Sequence, residues 1–129
     1  MTRRHVSTGT EWESTVGYSR AVRVGDHVHV SGTTATDEVG EVVGDDDVER
    51  QTDRALANVA AALERLDAGL EDVVRTRLYV TDIDDWAAVG RVHGSYFGDV
   101  RPATAMVEVS RLIDPRMLVE IEADALVDP

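Results

Sequence analysis

From Val22 to Ser31 apolar residues alternate with polar ones. Val22, Val24, Val28 and Val30 mark two short strands split by Gly25-Asp26, a pair suited to a tight hairpin turn. The second strand runs to about Ser31, and the Gly-, Thr- and Asp-rich stretch from Gly32 to Asp47 reads as a loop. From Val48 the spacing turns helical, with Val48, Thr52, Ala55, Leu56, Val59, Leu63 and Leu66 on one stripe. Asp46, with Glu49 at the capping-box position, is placed to start this helix, and Gly69 to end it in a left-handed conformation. Glu49, Arg50, Asp53, Asn58 and Arg65 make its solvated face.

Val74 to Thr81 alternates again, with Val74, Leu78 and Val80 on one side and Arg75, Arg77 and Tyr79 on the other. A second helix follows, capped by Asp84 or Asp85, striped by Trp86, Val89, Val92 and Tyr96, and stopped by Gly98. Two last strands, about Ala105 to Ser110 and Leu118 to Leu126, are joined through a turn at Asp114-Pro115. The predicted order is ββαβαββ. Alternation assigns Val107, Val109, Val119, Ile121, Ala123 and Ala125 to a helix-covered face. Met106, Glu108, Glu120, Glu122 and Asp124 then fall on the other face, and with Arg75 and Arg77 they supply matching signs for sheets packed face to face in an oligomer.

Composition narrows the function. The chain has 129 residues, enough for one domain with a core that needs no disulfide or metal. No apolar run approaches the roughly 20 residues that span a bilayer, and there is no cysteine, so no membrane partner and a cytoplasmic location are expected. The net charge is -12 and lysine is absent, which removes lysine Schiff-base chemistry and the phosphate-loop lysine. Such an acidic surface without a dense arginine patch also disfavours nucleic acid as a partner.

Local motifs for chemistry are sparse. His27-x-His29 has metal-like spacing but no identifiable third ligand, so no metal is expected. Ser7, Ser14, Ser19, Ser31, Ser95 and Ser110 lie in no nucleophile elbow, and no Gly-x-Gly-x-x-Gly follows a strand.

Longer stretches are more informative. Gly17-Tyr18-Ser19, Gly25-Asp26 leading to Val30-Ser31-Gly32-Thr33, Arg77-Leu78-Tyr79-Val80-Thr81-Asp82, Arg101-Pro102-Ala103, and Val107-Glu108-Val109 followed by Val119-Glu120-Ile121-Glu122-Ala123 recur in a fixed order. In order and spacing they resemble the reactive-intermediate deaminase family, also called Rid or YjgF and labelled endoribonuclease L-PSP. The resemblance covers about Gly17 to Leu126. It implies a chorismate-mutase-like α+β fold in a single domain over residues 1–129, a mixed sheet with two helices packed on one face, and a homotrimer whose sheets line a barrel. It also implies clefts between subunits that bind small molecules, and hydrolysis of enamines and imines without a cofactor.

Carried over by position, the family's catalytic glutamate is Glu120, its cleft tyrosine is Tyr18 and its strand-end serine is Ser31. The carboxylate-binding arginine does not carry over: Pro102-Ala103-Thr104 stands where the family has Pro-Ala-Arg, and Gly90 stands for an asparagine on the second helix. Thr104 and the nearby Arg101 are therefore candidate ligand contacts of a branch lacking that arginine. Three readings remain open: hydrolysis of a C–N bond on a substrate without a carboxylate, a non-catalytic metabolite-binding trimer, and a ribonuclease or translation inhibitor, which the charge disfavours. A purely structural reading of Glu120, as a partner of Arg75 or Arg77, stays open beside the catalytic one.

Overall fold

The alternating and helical segments assemble into one mixed sheet with its helices on a single face. The structure, a computed structural model, describes residues 2–128. Strands β1 (Arg3–Val6), β2 (Ala21–Val24), β3 (His27–Thr33), β4 (Val73–Val80), β5 (Ala103–Glu108) and β6 (Val119–Leu126) form a six-stranded sheet in the order β1-β2-β3-β6-β4-β5. All neighbours are antiparallel except β4 and β5. Those two are joined through helix α3 (Trp86–Phe97), the kind of crossover that parallel pairing requires. Helix α2 (Val48–Glu64) lies over β3 and β6 and against α3.

The core forms where the helical stripe meets the inward sheet face. Ala55, Leu56, Val59, Leu63 and Leu66 are buried against Val28, Val30, Leu78, Val80, Val119 and Ile121. Full burial of one such side chain contributes about 1.5–3 kcal/mol, so this seam dominates the packing energy. The opposite face carries the charged residues, and several of them bond one another. His29 is hydrogen-bonded to Asp124 at 2.8 Å, Arg77 donates to Asp124 at 3.2 Å, and Tyr79 donates to Glu122 at 2.6 Å.

The α+β class and the packing of both long helices on one face match the sequence expectation, and several details differ. Strand β1 and a six-residue helix α1 (Glu11–Val16) precede the predicted hairpin. Only Val6 of β1 points inward, and α1 buries Glu13 rather than an apolar stripe, so neither shows in the hydrophobic pattern. Asp47, not Asp46, caps α2 by accepting from the Arg50 amide at 3.1 Å. The left-handed residue after α2 is Asp67 (φ 58), not Gly69 (φ -144).

Two alternation errors share a cause. Val74 is 50% exposed because the β4–β6 ladder shifts register between Val73 and Arg75, which leaves Val73 as the buried residue. In β5 the parallel register pairs Leu78 with Met106, so Met106 faces the helices and Val107 is 47% exposed. Each position lies where pairing, not the local pattern, decides the face. In α3, Phe97 is buried while Trp86 is 63% exposed, Asp85 makes no side-chain cap bond, and the Gly98 cap is right-handed (φ -53).

Candidate active site

A cavity of about 620 Å³ opens at the end of β3, between the segment from Ser7 to Tyr18, helix α2 and the loops after β3 and before β6. Each wall is pinned by a polar anchor. Glu13, 5% exposed, accepts from the Ser7 hydroxyl at 2.8 Å, the Thr10 hydroxyl at 3.1 Å, and both hydroxyl and amide of Thr8. Burial pushes the Glu13 carboxyl up, but these donors outweigh it and hold it below its ordinary value. On α2, the Asn58 amide donates to the Thr34 and Thr36 carbonyls, both at 3.0 Å. Asn58 therefore anchors a loop and is not simply solvated. Fully buried Gln51 donates to the Arg116 carbonyl and accepts from the Leu118 amide, both at 2.8 Å, which fixes the loop carrying Ile113 and Met117.

Glu120 reaches the cavity through an irregularity in the sheet. The β3–β6 register shifts between Val30 and Thr33, and the Glu120 side chain lies over Gly32. A Cβ added to Gly32 would stand 2.8 Å from the Glu120 carboxyl carbon, so the approach needs glycine there. Among the described residues no ion pair engages Glu120, and Arg77 is paired with Asp124 instead. Burial, and then the neighbouring Glu122, push the Glu120 carboxyl above its usual value, with Arg20 pulling the other way. A half-buried carboxylate raised in this way is a stronger base than an exposed one.

Tyr18 lines the same cavity. Helix α1 ends at left-handed Gly17 (φ 90), which turns the chain toward Tyr18, and the Arg20 guanidinium stacks over the Tyr18 ring at 5.6 Å. Ser31 is close by but serves the backbone, donating its hydroxyl to the Ser19 carbonyl at 2.6 Å. Tyr18 and Glu120 thus line one cavity within one chain, and Ser31 is not among its lining residues.

Arg101 and Thr104 are not part of that group. Arg101 is exposed, with φ 54, in the turn after α3. The Thr104 hydroxyl is bonded to Thr76 at 2.8 Å and donates to the Pro102 carbonyl at 3.1 Å, and Thr76 is bonded to His93 at 2.9 Å. Burial pushes the His93 imidazole below its ordinary value, so it stays neutral. The pairing of Thr104 with Thr76, and of Glu120 with Tyr79, puts Thr104 and Glu120 on opposite sheet faces. They also lie two strands apart, roughly 10 Å across the sheet. A cleft containing both needs a second copy of the chain.

No local pattern marks Arg20, Trp12, Met117 or the anchors Glu13 and Gln51, which matter only through contacts made in the fold. Gly32 stood in a recognised stretch, but its closeness to Glu120 depends on the register shift. Among the described residues no group of three or more His, Cys, Asp or Glu is placed to hold a metal, and the His27 and His29 rings stack at 6.3 Å. No helix of the described residues is long and apolar enough to cross a membrane.

The sequence model described as endoribonuclease L-PSP matches residues 8–127. The 3-aminoacrylate deaminase RutC of Acinetobacter baylyi is 33% identical, over 84% of this chain and 85% of its own. The crystal structure of a YjgF-family member from Mycobacterium tuberculosis is 55% identical with a TM-score of 0.90, covering 98% of this chain and all of that one. Escherichia coli TdcF with bound serine is 28% identical with a TM-score of 0.79, over 86% of this chain and 88% of that one. The mixed sheet, the register-shifted strand end beneath Glu120 and these matches agree: the chain belongs to the YjgF, or reactive-intermediate deaminase, family.

Proposed function

We propose that the protein hydrolyses an imine, enamine or related C–N bond in a cleft built around Glu120 and completed by a second copy in a homotrimer, and that position 104 holds no substrate carboxylate. The observation that carries this is the half-buried, unpaired Glu120 carboxyl over Gly32, on the wall of the cavity that also contains Tyr18. In the reaction Glu120 accepts a proton from water as the water oxygen bonds to the imine carbon, and passes that proton to the nitrogen to give a carbinolamine. Glu120 then takes the carbinolamine hydroxyl proton and delivers it to the nitrogen as the C–N bond breaks, so a ketone and ammonia leave with both water protons on nitrogen; an enamine first tautomerises to the imine. This chemistry uses only groups of the chain and water, with no cofactor, in a cytoplasmic setting. The name of the RutC relative supports the reaction class, and the serine bound to TdcF supports a small ligand.

Thr104 supports the restriction at its own position. Its hydroxyl is already bonded to Thr76 and Pro102, and it supplies no charge. The test is ammonia release from an imine generated in place by an amine or amino-acid oxidase. Wild type should accelerate release, and Glu120→Gln should lose about a hundred- to ten-thousandfold of that acceleration. A non-catalytic binding trimer is the second reading, favoured by the side-chain-free Gly90 at the family's asparagine position. It would show as equal rates for the two proteins beside a ligand-dependent rise in Tm.

A further inference from the structure

Several charged groups of the cavity have no part in the mechanism above. Arg54 is paired with Glu38, and exposed Arg65 donates to the Ser7 carbonyl at 3.2 Å. Arg20, part-buried, lines the same space as Glu120 and Tyr18. Both of its hydrogen bonds come from Nη1, to the Gly32 carbonyl at 2.7 Å and the Thr33 hydroxyl at 3.1 Å, and its Cζ lies over the Tyr18 ring, 5.6 Å from the centroid. Nε is enclosed and has no partner among the described residues. The ion pairs among those residues engage Arg4, Arg54, Arg77, Arg91 and Arg116, but not Arg20.

Arg20 feels the Glu120 carboxylate at a distance but has no direct ion pair, and a part-buried cation is costly unless something offsets it. The edge left over is Nε with Nη2, the planar fork that matches the two oxygens of a carboxylate. Nε is enclosed, so a ligand meets Nη2 first, and the second bond forms only where the walls move to uncover Nε. Around it the lining is apolar, with Val6, Trp12, Val16 and Met117. A bare inorganic anion would leave those surfaces unused. The volume of about 620 Å³ lies within the range that encloses drug-sized ligands, well beyond a three-carbon imino acid.

We propose that Arg20 is the anion-binding residue of this cavity and that it holds a carboxylate carried on an apolar body. The inference rests on the cavity being the ligand site, as argued above, but not on turnover at Glu120. It also revises what Thr104 suggests alone: the carboxylate site is not lost from the cleft but sits on another segment, immediately before β2. Glu120 on the same wall repels a bound carboxylate when ionised, so neutralising it should strengthen binding.

The test is calorimetric titration of the full-length protein with hydrocinnamate and with its uncharged isostere hydrocinnamamide. Wild type should bind the acid about ten- to a hundredfold more tightly than the amide. That ratio should fall close to one in Arg20→Gln and to an intermediate value in Arg20→Lys, which keeps the charge but loses the fork. Because each ratio is taken within one protein, a variant that is partly unfolded affects both ligands alike. Glu120→Gln should keep or raise the ratio, and Arg91→Gln, outside the cavity, should leave it unchanged. Equal binding of acid and amide to wild type, absence of saturable acid binding, a ratio that survives in Arg20→Gln, or full competition by inorganic phosphate would each overturn the assignment. Acid-selective binding without ammonia release would sink the hydrolase reading and leave Arg20 standing. Turnover of neutral imines with no acid selectivity would do the reverse.

Discussion

At Gly32 a missing side chain determines where a functional one sits. The register shift between Val30 and Thr33 brings this glycine beneath Glu120, and a methyl group there would fall inside the contact distance of the carboxyl. Gly32→Ala is expected to displace Glu120 and cut imine hydrolysis about tenfold or more, while Tm falls by only a few degrees; unchanged kinetics would show that the carboxyl does not need its present place. Legibility at this scale was uneven. Glu120 and Tyr18 could be placed from ordered stretches of sequence and do line one cavity, whereas Ser31, placed the same way, bonds the backbone instead. Arg20 could not, because an arginine beside a recognised tyrosine looks like any surface charge until its burial and missing partner are seen. The anchors Glu13 and Gln51 escaped for the same reason, since their bonds reach segments whose positions no local pattern fixes.

Among the elements, period alone sufficed where burial was one-sided and long. Helix α2 and strands β3 and β6 follow it closely, apart from caps moved by a residue or two. It failed at β1 and α1, which bury little, and at β4 and β5, where a bulge and an edge position override alternation. Helix α3 offers a test of how its sequence limits it. Gly94 lies in the helix interior, and a Cβ there meets nothing within 4 Å in the chain. Gly94→Ala should therefore add about 0.5–1 kcal/mol, read as a rise in Tm. A loss instead would indicate that another copy packs against this face.

For the whole molecule, the open sheet face matters most. His29, Asp124 and Arg77 form one chain of contacts and Tyr79 and Glu122 another, so these polar groups are held in place by one another, with Arg77 and Asp124 paired in charge. The proposed homotrimer would bury such a face against its copies, and the separation of Thr104 from Glu120 means that a cleft containing both would need that assembly. Light scattering at micromolar concentration should return three times the 14.1 kDa chain mass. A monomer would leave each cavity without Arg101 and Thr104. The central claim, that Glu120 is the base of a C–N hydrolysis, is tested most directly by the pH dependence of kcat/KM for an imine substrate. The rate should fall in acid with an apparent pKa above the ordinary glutamate value of 4.5, because burial favours the protonated form, and this limb should be absent from the residual rate of Glu120→Gln. The same acid limb in both proteins would contradict the account.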